Sequence, residues 1–331
     1  MAELLTVDPQ THARLHQEIL TATYPIWHDG LSADAYARWN LVQLRTPWGA
    51  KHLKRVALVD GDRWLASAKW YEIDARLEGA WVKVLGIGAV FTPMAERGRG
   101  HAAALIQAML AEAGRLGMAA AVLFSEIGAS YYEALGFTAI PRETLTLDVI
   151  LKGGAPATLV RAGEDADLPH LAELHERTDH SARFAPVRTP TAIQFHAQKR
   201  RTQSALAPLG QRVTEFYVSE EGHRAVAYVL ISRGPSGNLA DGPETMWLEA
   251  AGDRDPSGAR VGAILQVLLA RTPAETPPPF YAWLPDRWLP PQVRIAARTT
   301  ASDILMVKAI GGHTLPALHG RDITWWKGDS F

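Results

Sequence analysis

Arg97, Gly98, Arg99, Gly100 and His101 form a basic, glycine-bearing turn between an apolar run at 84–91, closed by Pro93, and a segment of helical period. Those residue types in that order suit an anion. The first turn of a helix presents unpaired N–H donors and about half a positive charge, so a phosphate placed there is stabilised. Glycines at 98 and 100 let the backbone close on a ligand with no Cβ in the way. Arg97 and Arg99 can add charge-assisted bonds to phosphate oxygens. Two common phosphate motifs fail here. A P-loop needs Gly-Lys-Ser/Thr, which is absent, and a dinucleotide fingerprint needs glycine where Ala103 stands.

The elements that must hold this turn are legible on both sides of it. Beyond it, Leu105, Ile106, Met109, Leu110, Ala113 and Leu116 fall on one helical face, with Gln107, Glu112 and Arg115 away from it. Gly117 stops that helix. A buried-type strand at 119–124 follows, then a short helix carrying Tyr131 and Tyr132, which leaves through Leu135, Gly136 and Phe137. This stretch resembles the GNAT superfamily of acyl-CoA-dependent N-acetyltransferases. The family's pyrophosphate motif, Arg/Gln-x-x-Gly-x-Gly/Ala, is matched by Arg97, Gly100 and Ala102. Val90, Phe91 and Thr92 resemble its bulged fourth strand, and residues 132–137 its Tyr-x-x-x-Gly-Phe segment. Residues 86–93 and 123–128 are also similar to fungal free-lysine acetyltransferases, which suggests a small cationic amine as acceptor.

The resemblance implies acetyl-CoA as cosubstrate, held by residues 90–92 and 97–102, with no metal, and a primary amine as acceptor. An amine must be neutral to attack a thioester, yet a lysine side chain is uncharged in roughly one molecule in 2,500 at pH 7. The site must therefore take a proton from the amine, stabilise the oxyanion and protonate the departing thiolate. By the resemblance, a backbone N–H near Val90–Thr92 serves the oxyanion, and Tyr132 is the acid, with Tyr131 as the neighbouring alternative. Glu126 and Glu72 are the candidate bases, and His101 belongs to the phosphate side. Tandem acetyltransferases of the mycobacterial intracellular-survival type bring their chain terminus back to the site. That implies a further candidate in the carboxylate of Phe331. A non-catalytic acyl-CoA sensor is the competing expectation.

The whole chain sets the frame. Its 331 residues suggest two domains, and 47% hydrophobic with 21% charged residues is ordinary for a globular protein. A formal charge of −1 supplies no basic field for nucleic acid or anionic membrane. Cysteine is absent, which excludes disulfides, thiolate metal sites and a thiol nucleophile. No signal peptide or membrane span is legible, so the expected location is cytoplasmic. His12 and His16 are four apart, but with no third ligand nearby they read as a surface pair. Trp27, Trp48 and Trp70 suit either the core or an acceptor pocket.

In chain order, the pattern gives a strand at 3–7 and a helix opened by Asp8 and Pro9. A second helix runs from Ser32 to about Leu44. A hairpin follows around Asp60-Gly61-Asp62, with its second strand at 63–72, and closing strands lie at 142–150. This is the GNAT order. Residues 152–157 read as a linker by composition. From 158 to 331 the pattern restarts as a degenerate copy, with a strand-like end at 323–326. Asp253 and Asp255 precede its helix at 259–270, where they would repel pyrophosphate, and no Tyr-x-x-x-Gly-Phe follows. The expectation is an α+β chain of two tandem GNAT-like domains, each a mixed, mostly antiparallel sheet flanked by helices. The first, 1–151, is catalytic; the second is structural and shapes the acceptor cleft.

Overall fold

The computed structural model describes residues 2–150, 158–236, 242–271, 277–284 and 288–331, and the expected linker at 152–157 lies outside them. The chain opens with strand β1 (Glu3–Val7), helix α1 (Ala13–Trp27), helix α2 (Ala33–Arg45) and a single turn, α3 (Gly49–His52). Asp8 does not cap α1 as expected. Its Oδ1 accepts from the N–H groups of Gln10 and Thr11, both at 2.8 Å, so it closes a separate turn and the helix starts later, at Ala13. Ser32 does cap α2, accepting from Ala35 N–H at 3.2 Å.

Strands β2 (Leu53–Asp60) and β3 (Arg63–Leu77) form the expected hairpin, with Asp60 opposite Arg63. A second hairpin joins β3 to β4 (Ala80–Phe91) through Glu78 and Gly79, at φ +50° and +80°. Two positive φ values mark the mirror-image turn whose twist matches antiparallel strands. The apolar run at 84–91 is thus the far half of a longer strand. Helix α4 (His101–Arg115), strand β5 (Ala120–Ser125), helix α5 (Ser130–Glu133) and strand β6 (Thr138–Ile140) follow. On α4, Leu105, Ile106, Met109 and Ala113 are buried as the periodicity requires, whereas Leu116 is exposed at the C-cap.

The remaining elements are β7 (Glu143–Val149), β8 (Leu159–Ala162), α6 (Leu168–Asp179), β9 (Phe184–Pro186), α7 (Pro190–Leu206), β10 (Val213–Glu221), β11 (Arg224–Pro235) and β12 (Glu244–Asp253). Then come α8 (Ala259–Arg271), β13 (Phe280–Ala282), β14 (Val293–Thr300) and β15 (Ile304–Ala309). The first sheet has the order β1-β2-β3-β4-β5-β15-β6 and the second β14-β7-β13-β12-β11-β10-β8. Read from β8, the second sheet repeats the first strand for strand. In each, the inserted sixth strand comes from a distant part of the chain. Residues 142–150 therefore do not close the first sheet. β7 pairs with β13 and β14, and β15 fills the place between β5 and β6. Alternation specifies that a strand buries one face, not which sheet supplies the partner.

The contacts accordingly divide the chain differently from a cut at 151–158. One unit holds residues 1–142, 301–319 and 331; the other holds 143–300 and 320–330. Residues 323–326 are not a strand, since among them only Ile323 makes a bridge, to Phe184. In the first unit one face of the sheet packs α4 in a core of Val56, Ala68, Trp70, Leu85, Ile87 and Met109 among others. The other face takes α1, where Val7, Ile19, Ala57 and Val59 cluster.

Candidate active site

β4 is irregular where it approaches the glycine turn. Ser67 pairs with Phe91 and Lys69 with Gly88, so Ala89 and Val90 together stand opposite Ala68. This is a bulge, which leaves an extra residue out of the ladder and bends its strand. Ala89 sits at φ +49°, a conformation costing a non-glycine residue roughly 1–2 kcal/mol. The expected bulge at Val90–Thr92 thus lies one residue earlier. Ala89 was illegible because alanine carries no preference for positive φ. The parallel pairing of β4 with β5 ends at Ile87 opposite Leu123, although both strands continue. Beyond that point the two strands are no longer paired, which leaves a gap in the ladder beside the bulge.

The turn that follows is open. Gly98 and Gly100 have φ +74° and +79°, and a Cβ built on either would meet nothing within 4 Å. Ala104 N–H bonds to Gly100 O at 3.0 Å as the first helical link. The N–H groups of His101, Ala102 and Ala103 therefore have no acceptor within the helix. Arg97 Nε donates to Thr92 O at 3.2 Å, and its guanidinium lies over the Phe91 ring. Arg99 Nη1 reaches Glu96 at 3.2 Å, with Arg63 and His101 each 3.5 Å from the same carboxylate. Glu96 is buried and gathers this basic cluster. Sequence reading passed over it, although it is the one acidic residue between Pro93 and Ala102. Backbone donors and open space, rather than free arginines, are what this turn could offer a phosphate.

The second unit shows the converse. Asp253 Oδ2 accepts from Arg260 N–H at 2.8 Å and Val261 N–H at 3.1 Å, so the start of α8 is satisfied by its own carboxylate. A Cβ on Gly258 would stand 2.9 Å from the Trp288 ring. That turn is filled twice over.

Tyr132 lies in the core on the α4 side, 8% exposed, with its ring edge-on to Tyr131 and Phe137. Burial pushes its hydroxyl up to about 12, with smaller contributions from Tyr131 and Glu126. Glu126 is exposed just past β5 and close enough to bear on Tyr132 electrostatically. Glu72 is half-buried on β3 opposite Leu85 and ion-paired to Lys54 at 3.5 Å.

The opposite face of the same strands carries residues that periodicity did not single out. Arg55, Lys69 and Gly88 lie in one row across β2, β3 and β4. Arg55 is 3% exposed; Nη2 donates to Asn40 Oδ1 at 3.2 Å and Nη1 has no hydrogen-bond partner among the described residues. Lys69 donates to Gln43 Oε1 at 3.3 Å. Tyr71 is buried and stacks on Phe331, ring centroids 4.7 Å apart. Phe331 lies over Gly86 and Gly88, and a Cβ on Gly88 would be 3.1 Å from the Phe331 carbonyl carbon. The last residue of the sequence thus lies beside the gap between β4 and β5. Trp48 is near Tyr71 and Trp27 near Phe91, whereas Trp70 is wholly buried. His16 is also buried, not at the surface, and burial, with Arg55 nearby, holds its imidazole down at about 4. Among the described residues no group of three or more acidic or histidine side chains is placed to hold a metal.

Comparison with known proteins decides between the phosphate-binding families. Residues 32–140 match the acetyltransferase (GNAT) domain family. They form a GNAT acetyltransferase domain. With that domain the chain is an acyltransferase. No curated protein matches by sequence. Among solved structures, a GCN5-related N-acetyltransferase from Kribbella flavida superposes with a TM-score of 0.64 at 16% identity, over 94% of this chain and 72% of that one. One from Anabaena variabilis gives 0.62 at 15%, over 93% and 72%. Saccharomyces cerevisiae N-myristoyltransferase with bound myristoyl-CoA gives 0.58 at 12%, over 95% and 80%. At these identities the likeness is one of fold. The GNAT domain spans the bulge, the open turn, α4 and Tyr132, so the family match and the site geometry fall on the same residues.

Proposed function

We propose that the GNAT unit transfers an acetyl group from acetyl-CoA to a primary amine by direct attack in a ternary complex. One observation carries this reading. An unplugged glycine turn at the start of α4 stands in the same unit as a bulged β4 that parts from β5 after Ile87. The turn and the N–H groups of residues 101–103 suit the pyrophosphate of coenzyme A. The bulge at Ala89–Val90 suits both the thioester carbonyl and the oxyanion formed from it, a donor of that kind being worth about 3 kcal/mol in comparable sites.

In this reaction the amine nitrogen forms a bond to the carbonyl carbon, and the carbon–sulfur bond breaks. The amine's proton passes to Glu126, directly or through water, and Tyr132 donates its proton to the departing sulfur. Glu126 is preferred to Glu72 because it lies just past β5, close enough to bear on the Tyr132 hydroxyl. The test is thiol release from acetyl-CoA with a panel of small amines, amino acids and lysine peptides, with products weighed by mass spectrometry. Release matched by an acetylated amine is expected. Tight acetyl-CoA binding without release across the panel would leave a binding module instead.

A further inference from the structure

We infer that the ring of Phe331 limits the length of the acyl chain the GNAT unit accepts, confining it to short acyl groups. The inference rests on the acyl-CoA reading above and adds a specificity determinant to it. Gly86 and Gly88 are spaced by two on β4, so they share one face of the strand. Glycine inside a strand often marks a place where another group comes unusually close, and here that group is Phe331. A Cβ on Gly86 would stand 2.8 Å from Phe331 Cζ, and one on Gly88 would stand 3.2 Å from Phe331 Cδ2. The ring is therefore seated on bare backbone. Tyr71, 2% exposed, stacks on it at an interplanar angle of 28°. Phe124, the first residue of β5 beyond its pairing with β4, meets it edge-on with centroids 5.4 Å apart.

The ring thus touches both strands where they cease to pair. That is where an acyl group extending through the gap from the bulge would continue. An acetyl group ends at the gap; each added methylene must displace the ring or find no room. Tyr71 is fixed in the core and the glycine floor is backbone, so the Phe331 side chain is the removable part of this wall.

The experiment measures Kd and kcat/KM for acetyl-, butyryl- and octanoyl-CoA with the wild type and with Phe331→Ala, Phe331→Leu and Phe331→Trp, each checked by thermal melting. The wild type is expected to prefer acetyl over octanoyl by at least about tenfold, in line with the discrimination methylenes allow. That ratio should fall by about tenfold in Phe331→Ala, fall less in Phe331→Leu and rise in Phe331→Trp. Leu and Trp keep a large apolar group against Tyr71, so the graded order survives even if the alanine variant is unstable. An unchanged length profile across the series, or a wild type that takes octanoyl as well as acetyl, overturns the gate and leaves acyl transfer standing. Failure of every variant and the wild type to bind any acyl-CoA overturns both.

Discussion

A phenol whose pKa is pushed up to about 12 stays protonated throughout the range in which an amine acetyltransferase works. In the proton-donor role proposed for it, Tyr132 would therefore always be loaded, and the uphill transfer to a thiolate of pKa about 8.5 would need the sulfur to leave concertedly. Tyr132→Phe should lower kcat by one to two orders of magnitude, at the lower end of what a positioned acid supplies. KM for acetyl-CoA should change little. Between pH 6 and 9 the fold-loss should be constant, because the group being removed does not titrate there. A loss confined to one limb of the pH–rate profile would contradict the assignment. The same shift has a consequence for stability. The folded-state value lies above the ordinary value of 10, so its contribution is complete below about pH 10 and disappears as pH rises through 12. Arg55 is a different case, a buried cation with one guanidinium nitrogen that has no hydrogen-bond partner among the described residues. Removing a charge from water costs several kcal/mol unless it is paired, so the Asn40 amide oxygen compensates only in part, and burial lowers the Arg55 pKa from its ordinary value.

At the scale of elements, two helix N-termini of one topology have opposite chemistry. α4 begins on open glycines, whereas the first N–H groups of α8 donate to Asp253, at the end of β12, and Trp288 packs over Gly258. Gly100→Val forces a branched residue into φ +79° in the turn before α4. It should weaken acetyl-CoA binding at least about tenfold by calorimetry, with stability falling by roughly 1–2 kcal/mol from the backbone strain. Asp253→Ala should cost a similar amount, about 1–2 kcal/mol in a urea titration, through loss of a helix cap. It should leave acetyl-CoA affinity as it was. If Gly100→Val bound the ligand normally, the turn would not be its phosphate site.

For the whole molecule, the exchange of sixth strands ties each unit to a distant segment. β15 is an inner strand of the first sheet, with Leu305 and Met306 fully buried, yet about 160 residues separate it from the β6 it pairs with. Residues 1–142 expressed alone lack it. They should show no cooperative thermal transition by circular dichroism, and addition of a peptide covering 301–319 should restore some structure. A sharp two-state melt of the fragment alone would show that β15 is dispensable. A cut at the composition-defined boundary near 151 would also divide β7 from the sheet it belongs to.

The local chemistry was written in the sequence. The basic glycine turn, the apolar stripe of α4 and the hairpin at 60–62 each depend on residues within a few positions of one another. Dihedral preference and helical or strand period act over that range. The degenerate second turn was legible for the same reason, since Asp253 and Asp255 precede their helix directly. What depended on distant residues was not. No pattern in 143–149 says which sheet it joins, and nothing in the sequence near Gly86 or Gly88 indicates that Phe331 is their partner. The φ of Ala89, the charge cluster on Glu96 and the buried Arg55 row are likewise set by strands brought together from afar. Pairing between strands is a long-range choice made by the best-packed alternative, so only the folded chain decided it.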